Sequence, residues 1–165
     1  MSNQSPNARP TISWRLLKRG LLLFWAVWLS LVVATNVTDG LKALGVLPAS
    51  FRFVSGNYEA ILEVVAPFDP PAAVAGWLFA GVVVWESVSM LLFWWSGLTF
   101  QGVKAIERRG RLVAAFTVGL GLWATFQIAC EALPSALAYQ IEGTHRGLFT
   151  AQLATLLAVV LLPDE

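Results

Sequence analysis

Four long apolar runs, separated by shorter stretches that hold almost every charge, set the pattern of this chain. The first covers Leu16 to Asn36 and is led by Arg15, Lys18 and Arg19. The second goes from Ala72 to about Phe100, the third from Leu112 to Cys130, and the fourth from Leu148 to Leu162. Runs of this kind predict transmembrane helices, and together they predict an all-α, four-helix transmembrane bundle. The second run is longer than a straight crossing needs, so it should tilt or project past the bilayer. A basic start followed by an apolar run also resembles a signal peptide. This run exceeds the roughly 7–15 apolar residues of such a segment, so a retained first helix is expected.

Between the runs the polar pattern predicts smaller elements. The connection 37–71 is too long to be featureless. Asp39 is expected to cap a short turn through Leu44, ended by Gly45 and Pro48. Asn57 is expected to cap a short amphipathic helix from Tyr58 to Ala66, with Ile61, Leu62 and Val65 on one side and Glu59 and Glu63 on the other. Pro67, Pro70 and Pro71 should end that helix, which would lie on the membrane surface or over the bundle mouth. Residues 1–14 read as a disordered cytoplasmic tail and residues 15–165 as one membrane domain. The stretches 101–111 and 131–147 read as loops.

Composition agrees with the pattern. The 165 residues are 57% hydrophobic and only 13% charged, against about 25% charged in ordinary soluble domains. The net charge of +1 says less than its distribution. Eight of the eleven basic residues (Arg9, Arg15, Lys18, Arg19, Lys104, Arg108, Arg109 and Arg111) fall on one side of a four-span topology. The positive-inside rule then predicts that both termini are cytoplasmic, as in a multi-pass protein of a bacterial inner membrane. The eight tryptophans, several in "FWAVW" and "FWWSG", fit aromatic rings placed near the headgroups.

The candidate chemistry centres on Glu86, in the middle of the second span. A carboxylate at that depth costs roughly 2.5–3.5 kcal/mol on insertion scales, so it should face the bundle and find a partner. Helical spacing puts it on a stripe with Ala75, Phe79, Val82, Ser89 and Phe93, and Ser89 is positioned to donate to it. No span carries a Lys or Arg at comparable depth. The carboxyl is therefore expected to be neutral and to donate to a carbonyl, or to Ser30, Thr117 or Thr125 on another helix. Three readings stay open for Glu86: an interhelical clamp, a proton-, ligand- or quinone-handling group, or a contact with another subunit.

Glu131 closes the third span on a face shared with Gln127, Ala124 and Gly121. It is expected to cap packing there, or to join Asn36 and Asp39 in a polar cluster at the bundle mouth. The single histidine, His145, excludes a bis-histidine haem site within one chain and reads as solvated beside Arg146. Cys130 is expected to be inert. No residue set has metal-ligand spacing, no phosphate loop or nucleophile elbow appears, and no cofactor or nucleic-acid partner is predicted. Basic "KAIERRGR" reads first as an orientation signal, with contact to anionic lipid secondary.

Several of these residues recur in a known order. The "TNVTD" segment (Asn36 to Asp39), "NYEAILEVVAPFD" (Asn57 to Asp69), Glu86 in "WESVSM" and Glu131 in "LWATFQIACEAL" resemble the motifs of a bacterial family of predicted small integral membrane proteins, catalogued as domain of unknown function 2165. The resemblance covers most of the chain, although each motif is short. It implies a four-span fold and highlights Asn36, Asp39, Asn57, Asp69, Glu86 and Glu131, and it lends no activity. The first outward loop is longer than the family's. The aromatic segment usual after the second glutamate is replaced by "ALPSALAYQIEGTHRG".

These readings lead to a non-catalytic accessory or scaffold subunit of a larger membrane complex. Its expected partners are the lipid bilayer and other membrane subunits or further copies of itself. A small proton-coupled carrier using Glu86 is the alternative, followed by a quinone- or lipid-binding redox helper.

Overall fold

The structure, a computed structural model, describes residues 13–71, 73–133 and 136–163, with the backbone alone over 136–140. The tail expected at the N-terminus lies almost wholly outside these residues, as does Ala72 at the expected start of the second span. Five α-helices follow in order: α1 (Trp14–Ala43), α2 (Asn57–Val65), α3 (Ala73–Leu98), α4 (Ala105–Ala132) and α5 (Ala136–Leu161). Four contain windows long and apolar enough to cross a membrane, the last of them over Ile141–Leu161. Among the described residues the fold is all-helical, and α2 is the short helix expected in the first long connection.

α1, α3, α4 and α5 form an antiparallel bundle in which α1 packs most extensively on α3, α3 on α4, and α4 on α5. The α1–α5 seam is slight, and α2 lies across the ends of α1, α3 and α5. The centre of the bundle is aromatic. Trp25 packs on Phe93 with centroids 6.4 Å apart, Phe93 meets Phe116 edge-on at 5.1 Å, and Trp28 meets Trp123 at 5.9 Å. Leu22, Ala26, Leu29, Ala115 and Leu122 complete this core.

The clustered tryptophans divide between the interior of the bundle and its surface. Three indoles donate across helix seams: Trp25 Nε1 to Thr155 Oγ1 (3.1 Å), Trp94 Nε1 to Ser30 Oγ (2.9 Å) and Trp85 Nε1 to the Val118 carbonyl (3.0 Å). An indole brings a large apolar body and one donor, so it can fill a seam and bridge it at once. On α3, Trp77 and Trp95 point away from the bundle and are 77% and 48% exposed. Glu86 lies midway between them.

Helix limits differ from the sequence reading in three places. α1 continues through Asp39 to Ala43 instead of ending at Asn36. It stops where Gly45 takes φ +73°, with Val46 N–H bonded to the Leu41 carbonyl (2.9 Å) and Gly45 N–H to that of Lys42 (3.0 Å). That paired closure needs a left-handed residue, which glycine supplies without steric cost. α4 begins at Ala105, so the basic stretch taken for a loop is its first two turns. Glu107 faces Arg111 one turn on (3.8 Å), and Arg108 and Arg111 lie over the Phe100 and Trp95 rings at 5.1 and 4.6 Å. α5 begins at Ala136, so most of the connection 131–147 is helix as well.

Candidate functional site at the C-terminal end of α1

Asn36 and Asp39 are one turn apart on α1 and therefore share a face, which is buried (0% and 6% exposed). Each is engaged by a different partner set. The Asn36 side-chain amide donates from Nδ2 to Glu86 Oε2 on α3 at 2.6 Å. Its Oδ1 accepts from Asn57 Nδ2, at the start of α2, at 2.8 Å. Asn57 is exposed at the bundle mouth and Glu86 is 2% exposed at the middle of its span. Asn57, Asn36 and Glu86 thus form a single line of hydrogen bonds from the exposed end of the bundle to the middle of α3.

Asp39 closes the same region from the side. Its Oδ2 accepts from Ser55 Oγ and from the backbone N–H of Tyr58, both at 2.9 Å. Tyr58 is the second residue of α2. The residue before that helix is Gly56, in the left-handed region at φ +78° with no side chain to cap with. The first N–H groups of a helix need acceptors and favour negative charge. Asp39 supplies both from another helix. The prediction that Asp39 and Asn57 begin their own helices is thereby corrected: Asp39 caps α2 from within α1, and Asn57 spends its amide on Asn36.

Further contacts bind the connection to α1. Ser55 N–H reaches the Thr35 carbonyl (3.3 Å), and Thr38 Oγ1 donates to the Phe53 carbonyl. Tyr58 stacks edge-on against Phe79 of α3 at 5.5 Å. Opposite Phe79 is Gly40, where an added Cβ would come within 3.1 Å of the ring. The glycine is what lets α1 and α3 close above Glu86.

The other expected site residues are placed elsewhere. Ser89 is fully buried below Glu86, but its hydroxyl has no hydrogen-bond partner among the described residues, so it does not donate to the carboxyl. Ser30 serves Trp94, and Thr125 returns to the Gly121 carbonyl of its own helix (2.8 Å). Asp69 is exposed beyond α2 with φ +45°. Glu131 is exposed and takes no part in the Asn36–Asp39 network. It lines a separate open cavity of about 500 Å³ with Gln127, Glu142 and Arg146. Gln127 donates weakly to the Trp123 carbonyl (3.4 Å).

His145 is not solvated beside Arg146. It is half-buried against Phe126 (4.8 Å) and Trp123 (6.4 Å), with Nδ1 3.8 Å from Cys130 Sγ. The apolar ring faces of α4 claim it, and Arg146 pairs with Glu142 instead. No group of three His, Cys, Asp or Glu side chains among the described residues is arranged to hold a metal ion.

One feature escaped the sequence reading. Gly143, Gly147 and Ala151 follow one another at four-residue spacing on α5, with Ala154 one turn further, and all four are exposed. A Cβ added at Gly143 or Gly147 would meet nothing within 4 Å. The spacing is present in "GTHRGLFTA", but Gly143 and Gly147 fall in the stretch read as a loop and Ala151 in the fourth apolar run, which divides the face between two elements.

Compared with family models, curated proteins and solved structures, the chain finds no match in any of the three.

Proposed function

We propose that the chain is a non-catalytic accessory subunit of a larger membrane complex, docking through α5. The observation that carries this reading is the exposed small-residue face of α5. Faces with small residues four apart let two transmembrane backbones approach closely, where packing and weak hydrogen bonds drive association. α5 is also the least covered of the four spanning helices, with 11% of its apolar window buried. The Glu86 network supports the same reading. Its amides are held by neighbours on other helices, as suits a clamp that fixes α1, α2 and α3 in one arrangement. Membership of the small-membrane-protein family that the motifs resemble belongs to this proposal. So does an inner-membrane location with both termini cytoplasmic, supported by the basic residues gathered at the inner ends of α1 and α4.

The test is mild detergent extraction of the native membrane followed by sizing. The wild-type chain should migrate with partner subunits, and Gly147→Leu, which places a bulky group on an open face, should release it as a folded monomer. A wild-type chain that already runs alone as a stable monomer would end the proposal.

A second reading, a proton-coupled carrier, is favoured by one observation: the line of hydrogen bonds from exposed Asn57 reaches the mid-span carboxyl. Here Glu86→Gln should abolish proton flux in reconstituted vesicles while leaving the protein folded. Unchanged flux, or no flux from the wild type, removes this reading.

A further inference from the structure

Cys130 of α4 and His145 of α5 are 15 residues apart in sequence, and the packing of the two helices brings their side chains together. Cys130 Sγ lies 3.8 Å from His145 Nδ1, and the cysteine is 6% exposed. Aromatic neighbours hold the imidazole: Phe126 lies at 4.8 Å, and Trp123 at 6.4 Å with 24° between the two planes. Packing therefore fixes the direction of Nδ1. Glu142, one turn before His145, is engaged by Arg146.

A sulfur and an imidazole nitrogen at this separation suit an ion better than a shared proton. Sulfur is a weak partner in hydrogen bonds. An ion bonded at about 2.3 Å to a thiolate and about 2.0 Å to an imidazole spans this gap at an angle of about 120°, with neither side chain moved. Widening the gap by about half an ångström makes the same arrangement linear. Beside the pair opens the cavity of about 500 Å³ whose lining includes Gln127, Glu131, Glu142 and Arg146. Gln127 and Glu131 flank Cys130 on α4, and Glu142 and Arg146 flank His145 on α5. Two carboxylates against one guanidinium leave that opening with negative charge in excess, which favours entry of a cation.

We propose that Cys130 and His145 form a two-ligand site for copper(I), reached from this cavity. Soft thiolate selects copper(I), and imidazole suits copper as well. Zinc takes three or four protein ligands, and among the described residues no third His, Cys, Asp or Glu joins the pair. Copper(II) prefers a square-planar set of nitrogen and oxygen donors. Copper(I), with its filled d shell, accepts two donors, bent or linear. On binding, the S–H bond of Cys130 breaks and a copper–sulfur bond forms. The proton leaves to solvent, the Nδ1 lone pair completes the link, and copper is neither oxidised nor reduced.

Anaerobic titration of the full chain in detergent against a chromophoric copper(I) chelator tests the site. The wild type should take a single copper(I) ion per chain from the chelator, and equimolar zinc(II) should not displace it. Losing a residue that only supports a metal ligand costs about 10–100-fold in affinity. Losing a ligand itself should cost more, so Cys130→Ser and His145→Gln should each weaken copper(I) binding by more than about a hundredfold. Met90→Leu, which removes a sulfur from α3, should change nothing. X-ray absorption at the copper edge of the wild type should show a single sulfur at about 2.3 Å and a nitrogen at about 2.0 Å. That measurement needs no variant, so it decides the matter even if a variant fails to fold. A wild type that takes no copper(I), two sulfurs at the metal, or tighter binding of zinc(II) than of copper(I) overturns the proposal. A folded His145→Gln variant as tight as wild type also overturns it, since the thiol would then be binding alone.

Discussion

Glu86 on α3 and Gln152 on α5 are both withdrawn from solvent, at 2% and 0% exposure, and both lie near the middle of their spans. Their surroundings are opposite. Glu86 is met by Asn36, and Asn36 by Asn57, so three helices are joined through one carboxyl. Gln152 meets no partner among the described residues at either amide atom, and it is seated where Gly119 leaves room. A buried polar group without a hydrogen bond costs stability, whereas a bonded one can specify which helices lie together. Burial depth alone thus does not make a polar residue a clamp. What distinguishes the two is a second amide at the right height on the neighbouring helix.

The comparison can be broken most severely at Gly119. An added Cβ would come within 2.7 Å of the Gln152 amide, and a full leucine there would force α4 from α5. Overpacking of this kind costs about 3 kcal/mol at its upper range. Gly119→Leu should lower the midpoint of reversible unfolding in mixed micelles accordingly, and Gln152→Ala should restore part of the loss by clearing the space.

Asn36→Leu comes next. It strips the donor from Glu86 and the acceptor from Asn57 together, and should cost about 2 kcal/mol in the same assay. It should also speed proteolysis of the 44–56 connection, because α2 loses one of its two ties to α1. A variant as stable as wild type would mean that the line of hydrogen bonds holds nothing.

Gln152→Leu should move the other way, gaining about 1 kcal/mol, since it replaces an unpartnered buried amide with an apolar group of similar size. A loss instead would show that the amide is serving a partner. Glu86→Gln should have the smallest effect, within about 0.6 kcal/mol of wild type, because the amide oxygen of glutamine can accept from Asn36 as the carboxyl does.

Hydrophobic pattern alone gave the four spanning helices and the short helix between the first two, since run length and side-chain period depend on local sequence. The Glu86 stripe is legible for the same reason: Ala75, Phe79, Glu86, Ser89 and Phe93 are buried on α3, and Val82 is half-buried. The partner of Glu86 is not. Asn36 was assigned to a helix end, where a polar residue after an apolar run ordinarily sits, and only the tertiary fold shows that α1 carries it past that point. The cap that Asp39 provides to α2 was hidden for a related reason, because a cap supplied by a distant helix leaves no local sequence signature. The basic start of α4 and the N-terminal half of α5 escape the apolar pattern because charged and small residues weaken that signal without preventing a helix.

Trp77 and Trp95 mark out a length along α3. They are eighteen residues apart, which at 1.5 Å per residue places the two exposed indoles about 27 Å from each other along α3. That is a few ångströms less than the roughly 30 Å of an average hydrocarbon core. One helix thus carries an exposed indole near each end of a single bilayer crossing, an arrangement that suits two interfacial anchors on one span.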